Sequence, residues 1–80
     1  MLVKAKLFAT LQRYAPEGVT LGAPFEVTLP EESTINDLIL HLGINPNEVK
    51  VAFVEGRARS EVYELKPGDE VGIFPPVGGG

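Results

Sequence analysis

Only one stretch of this chain carries the pattern of an amphipathic helix, and segments that alternate with period two stand on both sides of it. Ile35, Leu38, Ile39 and Leu42 recur at i, i+3, i+4 and i+7, which gathers them into one apolar stripe. Thr34 is a good N-cap, and Asp37 three residues on favours the positive end of the helix, a shorter version of the capping box. Gly43 stands where a helix is commonly terminated by a residue in the left-handed conformation. A single helix can cover only one face of a sheet, so the other face must meet solvent or a partner.

The strands follow from alternation. Leu2 to Ala9 reads as a strand with Val3, Ala5, Leu7 and Ala9 on one face and Lys4, Lys6 and Phe8 on the other. Leu11 to Tyr14 suits a short helical turn, and Pro16 to Pro24 a loop broken by glycine and proline. Phe25, Val27 and Leu29 alternate with Glu26 and Thr28 in a second strand, antiparallel to the first. Asn45-Pro46-Asn47-Glu48 reads as a turn or short helical piece after the helix. Val51 to Val54 is a third strand and Glu55-Gly56 a turn. Tyr63 and Leu65 suggest a short fourth strand, Lys66-Pro67-Gly68-Asp69 is a turn, and Glu70 to Phe74 is the last strand. The expected class is α+β: a mixed sheet of four to five strands with one main helix packed on one face, in the order ββαβββ of a β-grasp domain. Residues 1–74 form that domain, and residues 75–80 are expected to be a flexible tail.

Phase then singles out two aromatics. Val71 and Ile73 point inward, so Phe74 points outward, as Phe8 does in the first strand. The first and last strands of such a sheet are parallel neighbours at its centre. Phe8 and Phe74 are therefore expected side by side on the uncovered face, as a contact surface at the root of the tail.

The tail reads Pro75-Pro76-Val77-Gly78-Gly79-Gly80. The two prolines cannot donate to a sheet and hold the backbone extended. Glycine lacks a Cβ and fits a narrow channel. An α-carboxylate at Gly80 is ionised at neutral pH, since its reference pKa is roughly 3.3–3.7. It could attack the α-phosphate of ATP to give an acyl adenylate, and that anhydride could accept a sulfur or nitrogen nucleophile. At ~3.3–3.6 Å per residue the tail would reach about 20 Å into another protein's active site. A frayed glycine-rich terminus is the plainer reading of the same residues.

Composition narrows the roles further. The chain has 80 residues, room for one domain with one modest core and little space for an internal cleft. A formal net charge of −4 argues against nucleic acid and favours a basic partner surface. No apolar run reaches the ~20 residues of a membrane span, and Met1-Leu2-Val3-Lys4 does not open a signal peptide, so a cytoplasmic protein is expected. There is no cysteine, so any sulfur carried must sit on the main-chain terminus. His41, the one histidine, lies off the apolar stripe with no metal-ligating companion and reads as a surface residue. Arg57 and Arg59 read as solvated turn charges, and Glu31-Glu32 as a helix-dipole placement. No metal site, Ser-His-Asp set or phosphate loop is evident.

These residues resemble a known family. Over essentially its whole length the chain resembles the ubiquitin-like sulfur carriers (MoaD/ThiS-like), and within them the small subunit of molybdopterin synthase. Lys6-Leu7-Phe8-Ala9 is similar to that family's first strand. Lys66-Pro67-Gly68-Asp69-Glu70-Val71 is similar to its turn into the last strand. Phe74-Pro75-Pro76-Val77 with Gly79-Gly80 is its most specific signature. The resemblance implies that a ubiquitin-activating-like adenylating enzyme, using ATP and Mg, forms Gly80-AMP. Sulfur from a donor such as a cysteine desulfurase or rhodanese then converts Gly80 to a thiocarboxylate. Val77, Gly78 and Gly79 enter the synthase large subunit, and Phe8, Phe74, Pro75 and Pro76 meet its surface. The carrier binds no cofactor and is not catalytic alone. Gln12 stands where some members have an interface arginine, and Glu55-Gly56 and Gly78 are closer to the thiamine-pathway carrier. Two alternatives therefore stay open: a carrier for thiamine or another sulfur-containing product, and a ubiquitin-like modifier conjugated through Gly80.

Overall fold

The fold is seen in a computed structural model that describes residues 1–76. Five strands form one mixed sheet: β1 (Leu2–Leu7), β2 (Phe25–Thr28), β3 (Val51–Val54), β4 (Arg57–Arg59) and β5 (Glu70–Phe74), in the order β2-β1-β5-β3-β4. β1 and β5 run parallel at the centre, and the other pairings are antiparallel. The helix α1 (Ile35–His41) packs on one face, and two short 3-10 turns span Ala9–Tyr14 and Pro46–Glu48.

The helix is held at both ends as its sequence predicts. The Asp37 N–H donates to Thr34 Oγ1 at 3.2 Å, and the Thr34 N–H donates to Asp37 Oδ2 at 2.9 Å, a complete capping box. Gly43 has φ +78. The Gly43 and Ile44 N–H groups donate to the carbonyls of Leu40 and Ile39, which is a Schellman ending. Ile35, Leu38 and Ile39 are buried against Val3, Ala5, Leu7, Val71 and Ile73 of the two central strands. Leu42 is the C-cap residue and only half-buried, so buried Ile44 completes the stripe beyond the turn.

Two expectations about strand limits are corrected. The first strand ends at Leu7, not Ala9. Ala9 carries the reason: it takes φ +52, is exposed, and turns the chain into the first 3-10 segment. Leu11, fully buried, takes the inward place instead. The fourth strand is Arg57–Arg59, not the segment around Tyr63 and Leu65. Glu55 (φ +50) and Gly56 (φ +83) form a two-residue hairpin turn that folds Arg57 back onto Val54. Arg57 and Arg59 therefore lie on an exposed edge strand and not in a turn. The 61–65 segment is engaged elsewhere. Carbonyls of Glu61 and Tyr63 accept from the Asn36 and Ile35 N–H groups, which have no partner inside the helix. Glu64 makes one isolated bridge to Thr34, and Leu65 is buried.

Among the described residues no helix is long and apolar enough to cross a membrane.

Candidate functional site

The face of the sheet opposite α1 carries the candidate site. Register sets its rows. Lys6, Gly72 and Phe53 lie side by side across β1, β5 and β3. The row farther from the end of β5 runs Glu26, Lys4, Glu70, and Glu55 follows at the hairpin, where its N–H donates to the Glu70 carbonyl at 3.1 Å. The row at the end of β5 holds Phe8 and Phe74. The face is thus charged at one end and aromatic at the other.

Phe8 and Phe74 meet as the alternation of their strands predicts. Their rings stack with centroids 4.0 Å apart and an interplanar angle of 6°. Phe53 stands edge-on to Phe74, with centroids 5.5 Å apart at 81°. All three rings are half-buried. Gly72 makes room for the cluster. Its backbone angles need no glycine, but a Cβ there would come within 3.2 Å of Phe8 Cε2 and 3.7 Å of Phe74 Cε1. The rings, Gly72, Lys6, Glu55, Gly56 and Glu70 enclose a shallow concavity of about 560 Å³. Lys6 Nζ sits 5.4 Å from the Phe8 ring centroid.

The last residues of β5 are tied on both sides. The Phe8 N–H donates to the Ile73 carbonyl at 3.2 Å, and the Lys50 N–H to the Phe74 carbonyl at 2.8 Å. Each tie leads into one of the 3-10 turns, and those turns are joined in their own right. Arg13 and the Tyr14 hydroxyl both donate to the Glu48 carboxylate, and the Arg13 guanidinium lies 4.6 Å from the Tyr14 ring centroid. The Tyr14 hydroxyl bond, with help from the Arg13 charge, holds the Glu48 carboxyl below its ordinary value; the same bond raises the Tyr14 phenol. Past this frame Pro75 is half-buried and Pro76 exposed.

Phe8, Phe74, Pro75 and Pro76 are therefore brought together at one end of the uncovered face. Val77, Gly78, Gly79 and Gly80 lie outside the described residues. The sequence reading did not single out Phe53, Gly72 or the Arg13–Tyr14–Glu48 cluster. The first two were within reach of the phase argument, since Ala52 and Val54, like Val71 and Ile73, are the buried members of their strands. The cluster joins residues 34 and 35 positions apart, for which alternation gives no signal. His41 is exposed, and among the described residues no group of His, Cys, Asp or Glu could hold a metal ion.

This geometry, a β-grasp sheet with a bare aromatic face at the end of its central last strand, defines a ubiquitin-like domain. The sequence profile of the ThiS family matches residues 5–80, and the chain belongs to that family of ubiquitin-like sulfur carriers and modifiers. Solved structures agree. A Pyrococcus furiosus protein described as a candidate molybdopterin converting factor, subunit 1, is 33% identical, with 95% of this chain and 98% of that one covered and a TM-score of 0.71. SAMP1 of Haloferax volcanii, a small archaeal modifier protein, is 24% identical over 100% of both chains with a TM-score of 0.72. The HVO 2177 protein of Haloferax volcanii is 25% identical, covers 100% of this chain and 87% of its own, and gives a TM-score of 0.75. No curated protein matches.

Proposed function

We propose that this chain is a sulfur carrier for molybdopterin synthesis and acts as the small subunit of a two-subunit synthase. The observation that carries the reading is the Phe8–Phe74 stack, half-buried on the face opposite the helix and placed where the chain passes from β5 into Pro75. A partner that grips these rings holds the root of the tail, and the remaining residues then reach its active site. Family membership supports the carrier chemistry, and the 33% identity to the Pyrococcus furiosus protein supports the molybdopterin branch.

The chemistry runs through Gly80. Its carboxylate oxygen attacks the α-phosphorus of ATP on a separate adenylating enzyme, and pyrophosphate leaves. A sulfur nucleophile from a donor protein attacks the acyl carbon, and AMP leaves. With a protein persulfide as that nucleophile the product is an acyl disulfide; a thiol then attacks the donor's sulfur, a disulfide forms on the donor, and the acyl sulfur leaves as a thiocarboxylate. Within the large subunit that sulfur attacks a carbon of the pterin precursor and an oxygen leaving group departs from it; water at the acyl carbon then cleaves the acyl C–S bond, which leaves the sulfur on the pterin and regenerates the carboxylate. ATP and Mg belong to the adenylating enzyme.

The test is the intact mass of the purified chain after incubation with ATP, Mg, a sulfur donor and the adenylating enzyme of the same cell. A gain equal to exchange of one oxygen for sulfur is expected, with subsequent loss of that sulfur on addition of the synthase large subunit and precursor. Conjugates of the chain with protein lysines, and no mass gain, would assign it to the modifiers instead. A gain that only the thiamine-forming synthase discharges would move it to that branch.

A further inference from the structure

We propose that the concavity over Gly72 receives an arginine side chain of the protein partner. The inference rests on the reading of this face as a docking surface and adds what that partner must bring to it.

The absence of a side chain at Gly72 leaves a notch in the middle of the face, between Phe53 on β3 and the Phe8–Phe74 pair. Its walls are apolar where the rings stand, and its rim is charged unevenly. Glu55 and Glu70 line the β3 and β5 side, and Lys6 the β1 side. Two carboxylates against one ammonium leave the rim at 1 − 2 = −1, counted over these lining residues alone. Hydrogen bonds hold the Glu55 carboxylate against the main chain of Glu70. The Glu70 N–H donates to Glu55 Oε2 at 2.7 Å, which fixes the Glu55 side chain along the strand and towards Glu70. Among the described residues neither carboxylate is in an ion pair. Lys4 is the cross-strand neighbour of Glu70, but Glu26 flanks it on its other side.

A partner side chain that fits must be apolar along its length and cationic at its tip. Arginine meets both demands. Its stem packs on the phenyl rings, its planar guanidinium can lie against an aromatic face, and its fork of N–H donors suits carboxylates. Lysine offers the charge without the planar fork. An acidic side chain would face two carboxylates against one ammonium, and the chain's net charge of −4 adds to its repulsion. Arginine is also among the residues enriched at buried interface centres.

The test uses three short capped peptides, Leu-Arg-Leu, Leu-citrulline-Leu and Leu-Glu-Leu, titrated into the full chain while amide resonances are followed. Citrulline keeps the shape of arginine and removes its charge. Saturable shifts centred on Glu55, Gly56, Glu70 and Gly72 are expected from the arginine peptide, with affinity at least about tenfold above that of citrulline. The paired substitution Glu55→Gln with Glu70→Gln removes that difference, with the remaining amide pattern unchanged. Equal affinity of the arginine and citrulline peptides overturns the proposal, as does preference for the glutamate peptide or absence of any saturable shift. None of these outcomes depends on the mass gain at Gly80. An arginine-selective notch on a chain that never becomes a thiocarboxylate would sink the carrier reading and leave the notch standing.

Discussion

Gly72 shows how much a single residue decides here. A strand interior normally loses stability at glycine, so its presence in the central strand β5 signals that something must approach closely. What approaches is Phe8, whose Cε2 lies only 3.2 Å from where a Cβ would stand. Gly72→Ala is therefore expected to push the Phe8 ring aside and open its stack on Phe74. Ring-proton shifts of Phe8 and Phe74 should move towards unstacked values, while the amide pattern of α1 and β2 stays fixed. A second substitution separates surface from core. Phe74 is half-buried on the uncovered face, so Phe74→Ala should cost partner binding about 2 kcal/mol or more and leave a folded domain. Unfolding of that variant would place Phe74 in the core after all. Leu38, fully buried in α1, gives the contrast. Leu38→Ala should destabilise by about 2–5 kcal/mol, a large share of the ~5–15 kcal/mol that a small domain possesses. Denaturant midpoints of the two variants measure the difference.

Elements differ in how plainly they were written. The helix was legible because its apolar stripe, Thr34–Asp37 cap and Gly43 stop all act within the ten residues from Thr34 to Gly43. Thr34→Ala, which removes one acceptor of the capping box, should cost about 1 kcal/mol in a thermal melt. The hairpin was less legible. Glu-Gly is a weaker turn signal than Asn-Gly, and Glu55 adopts a left-handed conformation that few non-glycine residues take. Alternation therefore ends β3 at a turn and points to a fourth strand later, where Tyr63 and Leu65 alternate. Those residues face the helix start instead, because the N–H groups of Ile35 and Asn36 need acceptors. The join between the two 3-10 turns was not legible at all, and its signature is in pH. The Glu48 carboxyl is held below its ordinary value of 4.5 by the Tyr14 hydroxyl and Arg13. A depressed folded-state pKa stabilises above the unfolded value and is lost as pH falls through the folded one. Glu48→Gln should thus lower the melting temperature at neutral pH and reduce the further loss on acidification below the carboxylate range. Since Arg13 is exposed, the effect should be small and weaker still in high salt.

At the scale of the whole molecule, one helix on one face of five strands leaves the other face without a helix among the described residues. Phase alone assigns Phe8 and Phe74 to that face, because the core face of each central strand admits only one register. Phe53 needed the same argument carried into β3. The division of labour that results is sharp. The core closes with Leu65, Val71 and Ile73, all buried, and the backbone of Phe74 is the last to join the sheet, through Val51. Residues after Phe74 contribute none of the described strand pairing. Stability and the proposed chemistry should therefore come apart at the tail. Deletion of Gly79 and Gly80 should leave the melting temperature and the amide pattern of residues 1–74 unchanged, and the aromatic face should still bind the synthase large subunit. The ATP-dependent mass gain should vanish, because the carboxylate that the adenylating enzyme must reach now sits two residues short, roughly 7 Å at ~3.3–3.6 Å per residue. Addition of one residue beyond Gly80 should abolish the gain equally, since the adenylating enzyme would then meet a different carboxylate. A truncated or extended chain that gained sulfur at the full rate would remove Gly80 from the mechanism.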